Sequence, residues 1–105
     1  MPDRFDDVIR SAFSAGREVR HEAQTADFGP ALDRAVMFRN CLEAVVKRYP
    51  DIRLKIVASR TTLLELALIP RNPMKTGGAS IAVSDDISVP AGVVRLIFAP
   101  PTAKG

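Results

Sequence analysis

Tryptophan is absent from this chain, and cysteine, histidine and tyrosine each occur once. A single cysteine forms no internal disulfide, which fits a reducing cytoplasm. One histidine and one cysteine also rule out zinc sites built from several Cys and His ligands at set spacings. With one Tyr and five Phe, mostly at core spacing, the stacking platforms of single-strand nucleic-acid binders are missing. No apolar run approaches the ~20 residues that span a bilayer. The acidic start, M-P-D-R-F-D-D, has no apolar stretch of the kind a signal peptide needs. The expectation is a cytoplasmic protein with no membrane segment, no cofactor and no small-molecule substrate.

What is present describes an ordinary folded domain. The chain has 105 residues, 47% hydrophobic and 26% charged, so it reads as one domain with a modest core. Eleven Arg and four Lys against twelve acidic residues leave a net charge of +3. That balance permits contact with nucleic acid without requiring it.

Hydrophobic periodicity predicts the elements. Residues 3–24 read as a helix with Asp3 as cap and Asp6 and Asp7 in its first turn. Phe5, Val8, Ile9, Ala12, Phe13 and Val19 form its stripe, and Gly16 is a weak point in it. A second helix spans 30–49, with Pro30 in its first turn, Asp27 as a possible cap and Pro50 as its stop. The period then changes from 3.6 to 2. Strands are expected at 51–58, 62–69, 79–84 and 92–98, and a frayed tail at 100–105. A short Ser59-Arg60-Thr61 connection would set Ile56 opposite Leu64, Leu54 opposite Leu66 and Lys55 opposite Glu65. The resulting fold class is α+β, with two N-terminal helices packed on one face of a three- to four-stranded antiparallel sheet.

The segment T-L-L-E-L-A-L-I is apolar on both faces of a strand. Its Leu63, Ala67 and Ile69 would then face a partner, most simply a second copy of the chain, giving a homodimer.

Catalytic motifs are sparse. Lys75-Thr76-Gly77 matches one element of the serine β-lactamase set, but no S-x-x-K accompanies it. The same stretch is not a phosphate loop, because Lys75 precedes the glycines and a strand comes next. His21 lies among Arg17, Glu18 and Glu22 and reads as a solvated side chain. Cys41 falls on the apolar side of the second helix and reads as a buried, inert thiol. Asp85 and Asp86 read as turn formers. The chain is therefore expected not to be an enzyme.

A nucleic-acid role has more support. Arg71, Asn72 and Lys75 surround Pro73 at the tip of an expected hairpin between 62–69 and 79–84. A proline wedge flanked by cations suits a minor groove. Arg71-Asn72-Pro73, with Thr76-Gly77 just after, resembles the arm tip of the HU and integration-host-factor DNA-bending proteins. Ile81-Ala82-Val83 and Val89-Pro90-Ala91 resemble the family's segments downstream of that tip, so the likeness covers 71–91. It implies an intertwined homodimer whose β-arms embrace DNA, with Pro73 intercalating and Arg71, Asn72 and Lys75 on phosphates or groove. Independently of that family, Arg53, Lys55 and Arg95 are expected on one sheet face, and Arg34 and Arg39 on the second helix. The competing reading is a protein–protein interaction module, an adaptor or inhibitor of the kind carried by phages and plasmids, acting through an exposed apolar sheet face.

Overall fold

The computed structural model describes residues 5–68 and 80–100. Their order is α1 (Asp6–Ala15), β1 (Val19–Gln24), a 3-10 turn (Thr25–Phe28), α2 (Arg34–Arg48), β2 (Arg53–Ala58), α3 (Arg60–Glu65), β3 (Ser80–Asp85) and β4 (Val93–Ala99). Helices and strands share an α+β arrangement. The expected layout needs correction, because one helix lies between strands and the sheet is mixed, not antiparallel.

The expected 3–24 helix stops at Ala15. Gly16 adopts φ 69°, and its N–H, with that of Arg17, bonds back to the Ala12 carbonyl at 2.9 and 3.3 Å. A side chain in this left-handed conformation would cost about 1–2 kcal/mol, so glycine makes a stop here. Beyond it, Val19, His21 and Ala23 alternate with the exposed Arg20, Glu22 and Gln24, the period of a strand rather than a helix. The second helix begins at Arg34, not at residue 30, because the Asp33 N–H closes a turn on the Pro30 carbonyl at 2.8 Å. Asp27, the expected cap, sits inside the 3-10 turn.

The largest correction falls on residues 62–69. Ser59, which stood in the expected hairpin loop, is a helix N-cap whose Oγ accepts the Thr62 N–H at 3.3 Å. The helix it starts buries Leu63 and Leu66 and exposes Leu64. Leu, Glu and Ala dominate the stretch, and all three favour helix over strand. Its end is a Schellman turn: the Leu68 N–H bonds Leu63 O at 2.9 Å and the Ala67 N–H bonds Leu64 O at 3.0 Å. Ala67 holds the left-handed position at φ 59°.

Because α3 carries the chain away from the sheet, it returns to β2 in the same direction, and β3 pairs with β2 in parallel. β4 inserts antiparallel between β1 and β2, giving the strand order β1-β4-β2-β3. Ile56 faces Leu96 and Val83, not Leu64. Lys55 faces Ile97 and Ala82, and Glu65 instead bonds Arg34 across the helix layer at 2.7 Å. Asp86 shapes the turn after β3, its Oδ1 accepting the Ser88 N–H at 2.9 Å and hydroxyl at 2.7 Å, and these bonds hold its carboxyl below the usual range.

All three helices contribute to a core on one side of the sheet. Phe5 and Ile9 of the α1 end, Phe38 and Leu42 of α2, and Leu63 and Leu66 of α3 join the inward rows of the strands. A polar clamp ties α1 to the end of α2. Asp6 Oδ2 accepts from Arg10 at 2.7 and 3.0 Å, while Oδ1 accepts from the Tyr49 hydroxyl at 2.7 Å and Arg48 at 3.2 Å. The Tyr49 hydroxyl first, and then Arg10, hold the Asp6 carboxyl below its ordinary range. No helix among the described residues is long and apolar enough to cross a membrane.

Candidate nucleic-acid interface

With every helix on one side, no described helix covers the other face of the sheet, although Val57 and Ala99 on it are buried by their neighbours, and register decides what it carries. Residues directly opposite on neighbouring strands point the same way, and alternate residues on one strand share a face. One outward row therefore runs Arg20, Ile97, Lys55, Ala82 across the four strands. The next row runs Glu22, Arg95, Val57, Ser84. On the other side of the first row, Arg53 lies opposite Ala99.

Four cations thus stand on one face, drawn from three strands: Arg20 of β1, Arg53 and Lys55 of β2, and Arg95 of β4. Strand spacing puts Arg20 and Lys55 about 10 Å apart at the backbone, and Arg53 and Lys55 about 7 Å apart along β2. Arg20, Arg53 and Lys55 are exposed and have no ion-pair partner among the described residues. Ile97 lies half-buried in the row between Arg20 and Lys55, where long cationic stems can lie along apolar surface while their heads stay in water.

Charge is unevenly spread over this face. Glu22 is the one carboxylate in the outward rows of the described strands, and its Oε2 accepts from Arg95 Nε at 3.1 Å and Nη2 at 3.0 Å. Asp86, just past β3, also feels the Arg95 charge. Arg95 is therefore the most neutralised of the four cations; just outside the strands, the exposed Glu18 and Asp51 stand two residues before Arg20 and Arg53 and offset part of the charge at that end. Val57, Val93, Ile97 and Ala82 supply a low apolar floor, and no aromatic ring stands in these rows. The face can therefore hold phosphates but has nothing on which to stack bases.

Comparison of the chain with known protein families, with curated proteins and with solved structures finds no match. The case for function therefore rests on the residues themselves.

The structure unites Arg53, Lys55 and Arg95, the three cations expected on one sheet face. It adds Arg20, which a continuous 3–24 helix had hidden; the alternation Val19-Arg20-His21-Glu22-Ala23 was the signal for it. Arg71, Asn72, Pro73 and Lys75 lie outside the described residues, as does Ile69. The two strands expected to flank that tip do not form a hairpin, since α3 replaces the first and β3 pairs in parallel with β2. The expected apolar interface is corrected as well. Leu63 is 0% exposed in the core, and Ala67 is an exposed residue of the turn that follows α3 rather than a strand residue.

Other candidates take quieter places. Arg34 lies in the helix layer, bonded to Gly29 O at 2.8 Å and to Glu65. His21 is half-buried on an inward row, its ring edge-on to Phe5 at 5.7 Å. Cys41 is partly buried against the core. Among the described residues no three His, Cys, Asp or Glu side chains are placed to hold a metal ion together.

Proposed function

We propose that this protein is a small, non-enzymatic nucleic-acid-binding protein that holds the phosphate backbone on its open sheet face. The observation that carries this reading is the convergence of Arg20, Arg53, Lys55 and Arg95 from three strands onto the helix-free face of the sheet, with a single opposing carboxylate in its strand rows. Lacking aromatic platforms, and with only cationic side chains to reach a ligand, such a face binds mainly charge and shape rather than sequence. Arg20, Arg53 and Lys55 neutralise about three phosphates, so the dependence of log K on log salt has a slope of about −2.7 on duplex DNA and about −2.1 on single strands.

The test is a fluorescence titration of a labelled duplex and a matching single strand at about 50 and 200 mM salt. Wild type is expected to bind and to lose affinity steeply with salt. A variant with Arg20, Arg53 and Lys55 all replaced by Ala should lose most of both the affinity and the slope. Binding that is absent at the lower salt, or unchanged in the triple variant, would remove this reading.

A second reading rests on a different surface. Leu32, Val36, Met37 and Leu64 are large, exposed apolar side chains on and before α2 and on α3, the two helices joined by the Arg34–Glu65 pair. A protein-interaction role would use this helix side rather than the sheet face. Under it, Val36→Glu and Leu64→Glu would abolish partner binding and leave nucleic-acid affinity untouched.

A further inference from the structure

We infer that a second copy of this chain pairs antiparallel with the free edge of β3, about a two-fold axis at Ala82 perpendicular to the sheet. The two edges of the sheet are built differently. β1 carries Arg20, Glu22 and Gln24 exposed along its length, the charged dressing that keeps an edge from pairing. β3 reads S-I-A-V-S-D, with no proline and no charge before Asp85, and no described strand pairs with its outer side. Among the described residues the core also thins toward this edge. Ile81 and Val83 are only half-buried, whereas Leu54, Ile56, Leu96 and Phe98 in the same rows are at most 3% exposed.

Register selects the partner. A two-fold antiparallel pair requires one residue to face its own copy. With Ala82 at that position, Ile81 meets Val83 of the second copy, and the apolar inward residues match on both sides. Moving the axis to Val83 would set Ile81 against Asp85, and moving it to Ile81 would leave Val83 beyond the six-residue strand. The strand is thus self-complementary in one register. An axis perpendicular to the sheet keeps both helix layers on one side and joins both open faces into one surface, so the four outward cations become eight. The pairing does not depend on how that face is used, though it doubles the charge available to it.

Five residues of edge pairing on each copy, 80–84, make a small interface, so dissociation is expected in the range of about 1–100 µM. The mass is measured without nucleic acid, by sedimentation equilibrium over a concentration series spanning that range. Wild type is expected to move from 11.4 kDa toward twice that value. Ala82 is exposed and points away from the core, so Ala82→Lys and Ala82→Glu should keep the fold, as circular dichroism would verify. Each places like charges face to face at the axis and should weaken self-association at least about tenfold. An equimolar mixture of the two should recover it. As a readout independent of those variants, Ala82→Cys in a Cys41→Ser background should cross-link under mild oxidation, while Ile87→Cys in the same background should not. A wild-type mass that stays at 11.4 kDa, a dimer indifferent to both charge variants, or variants that separate and do not recombine would each overturn the inference. Loss of nucleic-acid binding with the dimer intact would count only against the proposed use of the face.

Discussion

Replacing Glu22 by Gln is expected to tighten nucleic-acid binding while slightly loosening the fold. The outward rows carry Arg20, Arg53, Lys55 and Arg95 against Glu22, so the substitution takes that surface from four cations and one carboxylate to four cations alone. The lost Glu22–Arg95 pair is solvent-exposed, with 56% and 28% of the two side chains accessible, and such pairs are worth about 0.2–1 kcal/mol. Stability in urea should fall by no more than that. Arg95 is released at the same time and can neutralise one more phosphate, which steepens the slope of log K against log salt by about 0.9 on duplex DNA and about 0.7 on a single strand. On a duplex the slope should therefore move from about −2.7 to about −3.6, and the loss of affinity between 50 and 200 mM salt should grow from roughly 40-fold to roughly 150-fold. At the lower salt the variant should bind about two- to fivefold tighter, the equivalent of removing one exposed charge interaction of this size. Anisotropy titrations at four salt concentrations, with a urea melt of the same samples, measure both quantities. A weaker-binding variant, or one with an unchanged slope, would show that nucleic acid does not meet this face.

Three further outcomes test the fold beneath the face. Leu63→Ala should cost about 2–5 kcal/mol in denaturant unfolding while Leu64→Ala costs under about 1 kcal/mol, because α3 buries the first side chain and exposes the second; equal costs would deny the helix. Ala67→Gly should stabilise by about 1 kcal/mol, since it relieves a Cβ at φ 59°, and a loss of stability in a urea melt would contradict that geometry. The Asp6 carboxyl titrates below its unfolded value of 3.8, so its clamp adds stability fully present above that pH and lost as pH falls through the lower folded value. Acid unfolding tracked by circular dichroism should show Asp6→Asn less stable than wild type at neutral pH, with the gap closing below pH 3.8.

Much of this architecture is legible in order and composition. The α2 stripe, Pro50 as its stop, β2, and the strands at 79–84 and 92–98 all emerge from periodicity and breakers within a residue or a few. So does the placing of Arg53 and Lys55 on one face of β2, because period-2 alternation is local; Arg95 joins them only through the β2–β4 register. The expectations miss where two local signals compete. Gly16 reads as a weak point in a helix, yet its left-handed backbone makes it the end of one, and that hides β1 and Arg20 with it. Ser59 and Leu63-Leu64-Glu65-Leu66 suit a capped helix or a short apolar strand, and helix propensity with a capping serine prevails.

By itself the sequence determined which segments bury apolar side chains and which residues carry charge, because burial patterns of period 3.6 and 2 are written in neighbouring positions. It did not determine strand order. β4 lies between β1 and β2, and β3 runs parallel to β2, since the α3 crossover reverses the return path and the middle of the sheet must hold the strand with the fullest inward row, Val94, Leu96 and Phe98. Only that order places Arg20, Lys55 and Arg95 within three adjacent strands and leaves β3 with no neighbour on its outer side among the described strands. Both the cationic face and the free edge depend on pairings between residues far apart in the chain, such as Arg20 with Ile97 and Val19 with Phe98, and no local pattern carries that information.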